Sequence, residues 1–164
     1  MQDTNWRNIS QQDLSEVFIR EFQDEVYWPM ISQHQILTED FIMEFQDKVD
    51  WTNISYNQTL SEAIISEFQD KVDWFGICYK QLLSEDFIRE FTTKVNWYYI
   101  SINQTLSETF IREFQGRVHW KYISMNQTLS KEFILEFIDK LNLDLVLEFQ
   151  DLDQETKEYL RLLK

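Results

Sequence analysis

Tryptophan recurs at positions 6, 28, 51, 74, 97 and 120, with spacings of 22 and then 23 residues throughout. Few folds tolerate so short and regular a period. A unit of this size cannot bury its own apolar face and has to stack on its neighbours. The spacing therefore predicts a repeat protein before any local reading begins.

Other positions keep the same register. Three residues after each tryptophan stand Ile9, Ile31, Ile54, Ile77, Ile100 and Ile123. Further on come Leu14, Leu37, Leu60, Leu83, Leu106 and Leu129. Then follow Phe18, Ile19, Phe22 and Val26 with five equivalents, ending at Phe133, Ile134, Phe137 and Leu141. Phe110, Ile111, Phe114 and Val118 share one face of a 3.6-period helix. Ser15, Thr38, Ser61, Ser84, Ser107 and Ser130 precede these runs, and such side chains accept orphan N–H groups of a first helical turn. A glutamate follows in five of the six units (Glu16, Glu39, Glu62, Glu85, Glu108), where it suits the positive end of the helix dipole. This segment is expected to be the longer helix, about 12 residues.

The tryptophan segment reads as a second, shorter helix. Asn5, Asp50, Asp73 and Asn96 precede it as caps, and Pro29 falls in a first turn where proline is tolerated. Two glycines and one proline in 164 residues agree with tightly connected helices. The expected fold is all-α: an α-solenoid of six two-helix repeats, short then long, starting near residues 6, 28, 51, 74, 97 and 120. Its core is built on Trp6, Trp28, Trp51, Trp74, Trp97 and Trp120 with Phe22, Phe45, Phe68, Phe91, Phe114 and Phe137. The first repeat is one residue short between Ser10 and Leu14. After Leu141 the pattern decays, with Leu143 and Val146 at the Trp and Ile positions, so residues 143–164 read as a C-terminal helical cap. The whole, 1–164, reads as a single repeat domain.

Little of the chain suggests chemistry. His34 and His119 fall at unrelated repeat positions, outside metal or triad spacing. No glycine-rich phosphate loop occurs. Glu21, Glu44, Glu67, Glu90, Glu113 and Glu136 are locked to the repeat. In five units a base follows four residues later (Lys48, Lys71, Lys94, Arg117, Lys140), which reads as a helix-stabilising pair. Gln35, Gln58, Gln81, Gln104 and Gln127 stand at a fixed turn and suit a hydrogen-bonded ladder to the neighbouring repeat's backbone. Cys78 replaces a serine at its repeat position and reads as a small buried residue. The expectation is a non-enzyme with no catalytic residues, no cofactor and no metal.

Charge narrows the partners. The net charge is −14; residues 1–70 hold 14 acidic side chains against three basic ones. Such a surface repels nucleic-acid phosphates, so nucleic-acid binding is not expected. No apolar run of membrane length or signal peptide is recognised, so no membrane partner is expected and an intracellular setting is favoured. The Asn-x-Ser/Thr sequons at Asn8, Asn53, Asn57, Asn103 and Asn126 then fall out of the repeat itself.

The positions that vary between repeats carry the functional signal. Residues just after each tryptophan include Tyr56, Phe75, Tyr79, Tyr98, Tyr99 and Tyr122. Aromatic residues are enriched in interface cores, so these six are the candidate partner-binding residues. The competing reading is that some of them fill seams between repeats.

The consensus displayed by Trp51–Asp73 resembles tandem repeats in uncharacterised proteins of giant DNA viruses, over roughly residues 6–141. That resemblance implies a viral protein of the host cytoplasm or the virion and transfers no activity. The leading expectation is a scaffold for protein–protein interaction through the aromatic face of the short helices, with self-association left open. Two alternatives stand beside it: a structural component of a viral particle, and an acidic decoy or DNA mimic for a basic protein.

Overall fold

A computed structural model of the chain describes residues 5–163, and every regular element in that range is an α-helix. The fold is an all-α helical-repeat solenoid with a period of about 23 residues. The chain divides into two compact units, Met1–Gln81 and Leu82–Lys164. The first holds α1 Trp6–Ile9, α2 Glu16–Glu21, α3 Trp28–His34, α4 Glu39–Glu44, α5 Trp51–Asn57, α6 Glu62–Glu67 and α7 Trp74–Lys80. The second holds α8 Glu85–Glu90, α9 Trp97–Asn103, α10 Glu108–Glu113, α11 Trp120–Asn126, α12 Lys131–Glu136, α13 Leu143–Phe149 and α14 Gln154–Leu162. Within the first unit α3, α5 and α7 lie side by side; within the second α9, α11 and α13 do.

Each tryptophan opens its helix. Asn5, Asp50, Asp73 and Asn96 accept backbone N–H bonds as N-caps, while Tyr27 and His119 make no side-chain cap bond. The second helix of each repeat is capped by the expected hydroxyls, Ser15, Thr38, Ser61, Ser84, Ser107 and Ser130, each accepting from the N–H three residues on.

That second helix is shorter than its apolar pattern predicts. Only six residues are α-helical; the chain then leaves helical geometry at Phe22 (φ −109°, ψ 29°) and its equivalents and continues as a hydrogen-bonded turn. Val26 N–H still reaches the Phe22 carbonyl at 3.0 Å, so the apolar face persists through the turn to Val26. The expected 12 residues are thus helix plus turn. Among the described residues no positive φ marks the break, and only the fifth repeat has a glycine in the turn, Gly116. Tryptophan supplies the compensation. Its indole N–H donates to the carbonyl that follows each such phenylalanine: Trp28 to Gln23 at 3.0 Å, Trp51 to Gln46 at 2.9 Å, Trp74 to Gln69 at 2.9 Å, Trp97 to Thr92 at 3.2 Å and Trp120 to Gln115 at 3.0 Å. A carbonyl that loses its intrahelical partner thereby keeps a donor.

Three ladders join one repeat to the next. Gln58 is buried; its Nε2 donates to the carbonyls of Gln35 (2.7 Å) and Ser32 (3.1 Å), and its Oε1 accepts from Leu37 N–H. Gln35, Gln81 and Gln127 bridge preceding backbone in the same manner. The expected glutamine ladder is therefore present. A serine ladder runs beside it: Ser55 Oγ donates to the Trp51 carbonyl at 2.7 Å and accepts from Asp73 N–H at 2.9 Å. Glutamates form the third. Glu16 accepts from both the backbone and the hydroxyl of Thr38, the next repeat's cap, at 2.7 and 2.8 Å. Among the described residues no buried side-chain polar atom lacks a partner.

The expected pairing of Glu44 with Lys48 and of Glu67 with Lys71 gives way to contacts with the preceding repeat, because the helix ends at that glutamate and the lysine lies in the turn that follows. Lys48 instead meets Asp24 (2.7 Å) and Gln23 of the preceding repeat, and Lys71 meets Asp47 (2.9 Å). Glu44, Glu113 and Glu136 pair with Arg20, Arg89 and Arg112 of the preceding repeat. Those arginines lie 4.8 to 5.0 Å over the rings of Phe41, Phe110 and Phe133.

Residues 143–163 continue the repeat more faithfully than a decayed cap would. Gln150 donates to the Gln127 and Ser124 carbonyls and accepts from Leu129 N–H, the same three bonds that Gln58 makes four repeats upstream. Asp153 caps α14 through Thr156 N–H at 2.7 Å. Val146 and Leu160 are fully buried.

Candidate functional site

The helices that begin at tryptophan set the geometry. The third and fourth residues after each tryptophan from Trp28 on, such as Ile54 and Ser55, point into the stack and are fully buried; in the first repeat Ser10 is buried and Ile9 half-buried. Residues one, two and five after it are left on the outer side, and there the candidate aromatics stand.

In the first unit, Tyr56 of α5 lies beside Phe75 and Tyr79 of α7, its ring centroid 6.5 Å from each. Tyr56 is half-buried, whereas Phe75 is 46% and Tyr79 55% exposed. Gly76 makes this arrangement possible. A Cβ there would lie 2.8 Å from Tyr56 Cδ2 and 3.1 Å from Ser55 Cβ, so the tyrosine ring rests on bare backbone. In the sequence Gly76 stands two residues after Trp74, the position that Tyr99 and Tyr122 hold in later repeats.

In the second unit, Tyr98 and Tyr99 of α9 meet Tyr122 of α11. Tyr98 stands edge-on to both, with centroids 5.1 Å away, the favoured geometry for aromatic quadrupoles. The Tyr98 and Tyr122 hydroxyls share a hydrogen bond of 2.8 Å. That bond, chiefly, raises the Tyr98 phenol above its ordinary range, and partial desolvation adds to it. Tyr98 is exposed, while Tyr99 and Tyr122 are half-buried. His119 joins them edge-on, 5.3 Å from Tyr98. It occupies an N-cap position without capping, so its ring is available for this packing. In the sequence His119 precedes Trp120 at a cap position, and nothing local marks it as a packing partner for tyrosine.

The candidate residues thus form two clusters, one in each unit: Tyr56, Phe75 and Tyr79, then Tyr98, Tyr99 and Tyr122. The repeat-core residues divide by depth. Phe45, Phe68, Phe91 and Phe137 are buried, and Phe22 and Phe114 half-buried. Trp6, Trp28, Trp51, Trp74, Trp97 and Trp120 are all half-buried. The rings of Trp6, Trp28, Trp51, Trp97 and Trp120 pack on phenylalanine of their own repeat, as Trp28 does on Phe45 at 5.0 Å. Basic side chains cover the outer edge in places: Lys140 lies 5.3 Å over Trp120 and Arg117 5.8 Å over Trp97.

Among the described residues no three His, Cys, Asp or Glu side chains gather around a metal-sized site. Cys78 is fully buried. No described helix is long and apolar enough to cross a membrane. Comparison with known proteins finds no family model, no curated protein and no solved structure that matches the chain.

Proposed function

We propose that the chain is a non-enzymatic binding scaffold whose two aromatic clusters engage a protein partner. One observation carries the reading. The stack accepts polar residues at the very positions the aromatics occupy: Arg7, Thr52 and Lys121 stand where Phe75 and Tyr98 do, and Gln33 where Tyr56 and Tyr79 do. Folding does not require rings there. Large, partly exposed aromatic side chains that the scaffold can do without are the composition of an interface core. With the likeness to giant-virus repeats taken as a guide, the partner is a protein of the infected cell or of the particle.

The test compares the wild type with Phe75→Ser/Tyr79→Ser and Tyr98→Ser/Tyr122→Ser in capture from host extract. Loss of the same captured protein, with helicity unchanged by circular dichroism, is the expected result. Capture that survives both double variants would remove this site assignment. Sedimentation of the purified chain separates a foreign partner from a second copy, since self-association through the clusters would weaken in the same variants.

A further inference from the structure

A cavity of about 400 Å³ opens between α12 and the last helical pair, lined by Leu135, Ile138, Asp139, Leu143, Tyr159 and Leu163. Its place in the repeat explains its origin. One period earlier, the same register positions hold Arg112, Gln115, Gly116, Trp120, Glu136 and Lys140. Two of them touch the indole of Trp120: its N–H donates to the Gln115 carbonyl at 3.0 Å, and Lys140 covers its ring at 5.3 Å. Leu143 stands where the tryptophan would be. Thr156 and Leu160 stand where Phe133 and Phe137 pack against Trp120. Three large aromatic side chains have been exchanged for smaller ones, and the cavity is the vacated tryptophan slot.

Among the described residues, two polar groups there lack the partners that their register equivalents have. The Ile138 carbonyl is in register with the Gln23, Gln46, Thr92 and Gln115 carbonyls that accept indole N–H, and among the described residues no donor reaches it. Asp139 is in register with Asp24 and Asp47, which hold Lys48 and Lys71 at 2.7 and 2.9 Å. Twenty-four residues on from Asp139 the lysine is replaced by Leu163. The rim has also turned apolar, with Leu135, Tyr159 and Leu163 standing partly exposed where the preceding repeat has Arg, Glu and Lys.

We propose that this cavity binds a small aromatic amine of the indolylethylamine class. The flat ring occupies the vacated slot, its N–H faces the Ile138 carbonyl, and its ammonium stands at Asp139 where other repeats place a lysine. The volume lies within the range of small-molecule sites. At ordinary ligand efficiency a ligand of this size binds at about millimolar dissociation constant.

The probe is tryptamine, added to the full chain and followed by amide chemical shifts. Saturable shifts confined to residues 135–143 and 156–163 are expected. 1-Methyltryptamine, which lacks the ring donor, should bind about fivefold more weakly. Indole-3-propionate, with the charge reversed, and the Asp139→Asn variant should each weaken binding about tenfold. Leu143→Trp restores the side chain of the other repeats; it should raise the melting temperature and abolish the shifts. No localised shift at about 10 mM tryptamine, on the millimolar scale just given, would overturn the proposal. Binding to Leu143→Trp as tight as to the wild type, or equal binding of the propionate, would overturn it as well.

Discussion

At the scale of single residues, the glutamines do more for the stack than their chemistry suggests. Gln58 sits 5% exposed and holds three backbone groups of the preceding repeat, two carbonyls and one N–H. Gln58→Ala strands all three away from water, and each buried orphan is costly. The variant should lose about 2–4 kcal/mol of stability, read by chemical denaturation. Tyr98 permits a pH test. Its folded-state phenol is raised above the usual value because the Tyr122 hydroxyl bond favours the protonated form. A group raised on folding contributes stability that is present below its unfolded pKa and is lost as pH rises through the folded one. The second unit's aromatic cluster should therefore loosen only in alkali, above about pH 10. Tyrosinate absorbance at 295 nm should show one late-titrating phenol that Tyr122→Phe brings back toward the others; a titration unaltered by that substitution would contradict the bond.

At the scale of elements, no helix here could stand alone. Helices of six and seven residues are far below the length at which isolated peptides hold helical structure. They persist because caps and ladders satisfy their ends and neighbours bury their faces. Ser61 illustrates the coupling. It caps α6 by accepting from Ile64 N–H and donates its hydroxyl to the Glu39 carboxylate of the preceding repeat, so one hydroxyl serves two repeats. Ser61→Ala should cost about 1–2 kcal/mol, at the upper end for a cap, and Glu39→Gln in that background should cost little more. Additive losses would show that the ladder and the cap act separately. Much of this was legible beforehand. The Trp, Ile, Leu and Phe register named the helix faces, and Ser15 and its equivalents named the starts. The stops were not legible. Helices that end at Phe22 or Phe45 carry no glycine or proline there, and the carbonyl is satisfied by an indole five residues on, a bond that local pattern does not announce. The lysine partners were misread for the same reason, since a spacing of four residues loses its meaning once the helix has ended. The register of Gln150 is masked in the sequence because Leu143 interrupts the tryptophan count just before it.

At the scale of the molecule, constant and variable positions divide the work. The constant ones build each unit from the inside, through buried isoleucine, serine and glutamine. The ion pairs between repeats, Arg20 with Glu44 or Lys48 with Asp24, are partly exposed and add little beyond register. The variable ones are where repeats differ without disturbing the stack. There the six candidate aromatics gather into two clusters that no repeated sequence constraint demands. A cluster was foreseeable from composition, but its partition, Tyr56 over Gly76 in one unit and Tyr98 bonded to Tyr122 in the other, depends on neighbours 20 or more residues away. The distinction between an interface and a seam is thermodynamic, and it can be measured without knowing the partner. Thermal unfolding of Phe75→Ser/Tyr79→Ser beside Gln58→Ala tests it most directly. If the exposed rings serve binding, the aromatic variant should melt within about 2 °C of the wild type, as surface substitutions do, while the glutamine variant melts many degrees lower. An aromatic variant that loses as much stability as Gln58→Ala would show that those rings hold the repeats together, and the scaffold would have to bind elsewhere.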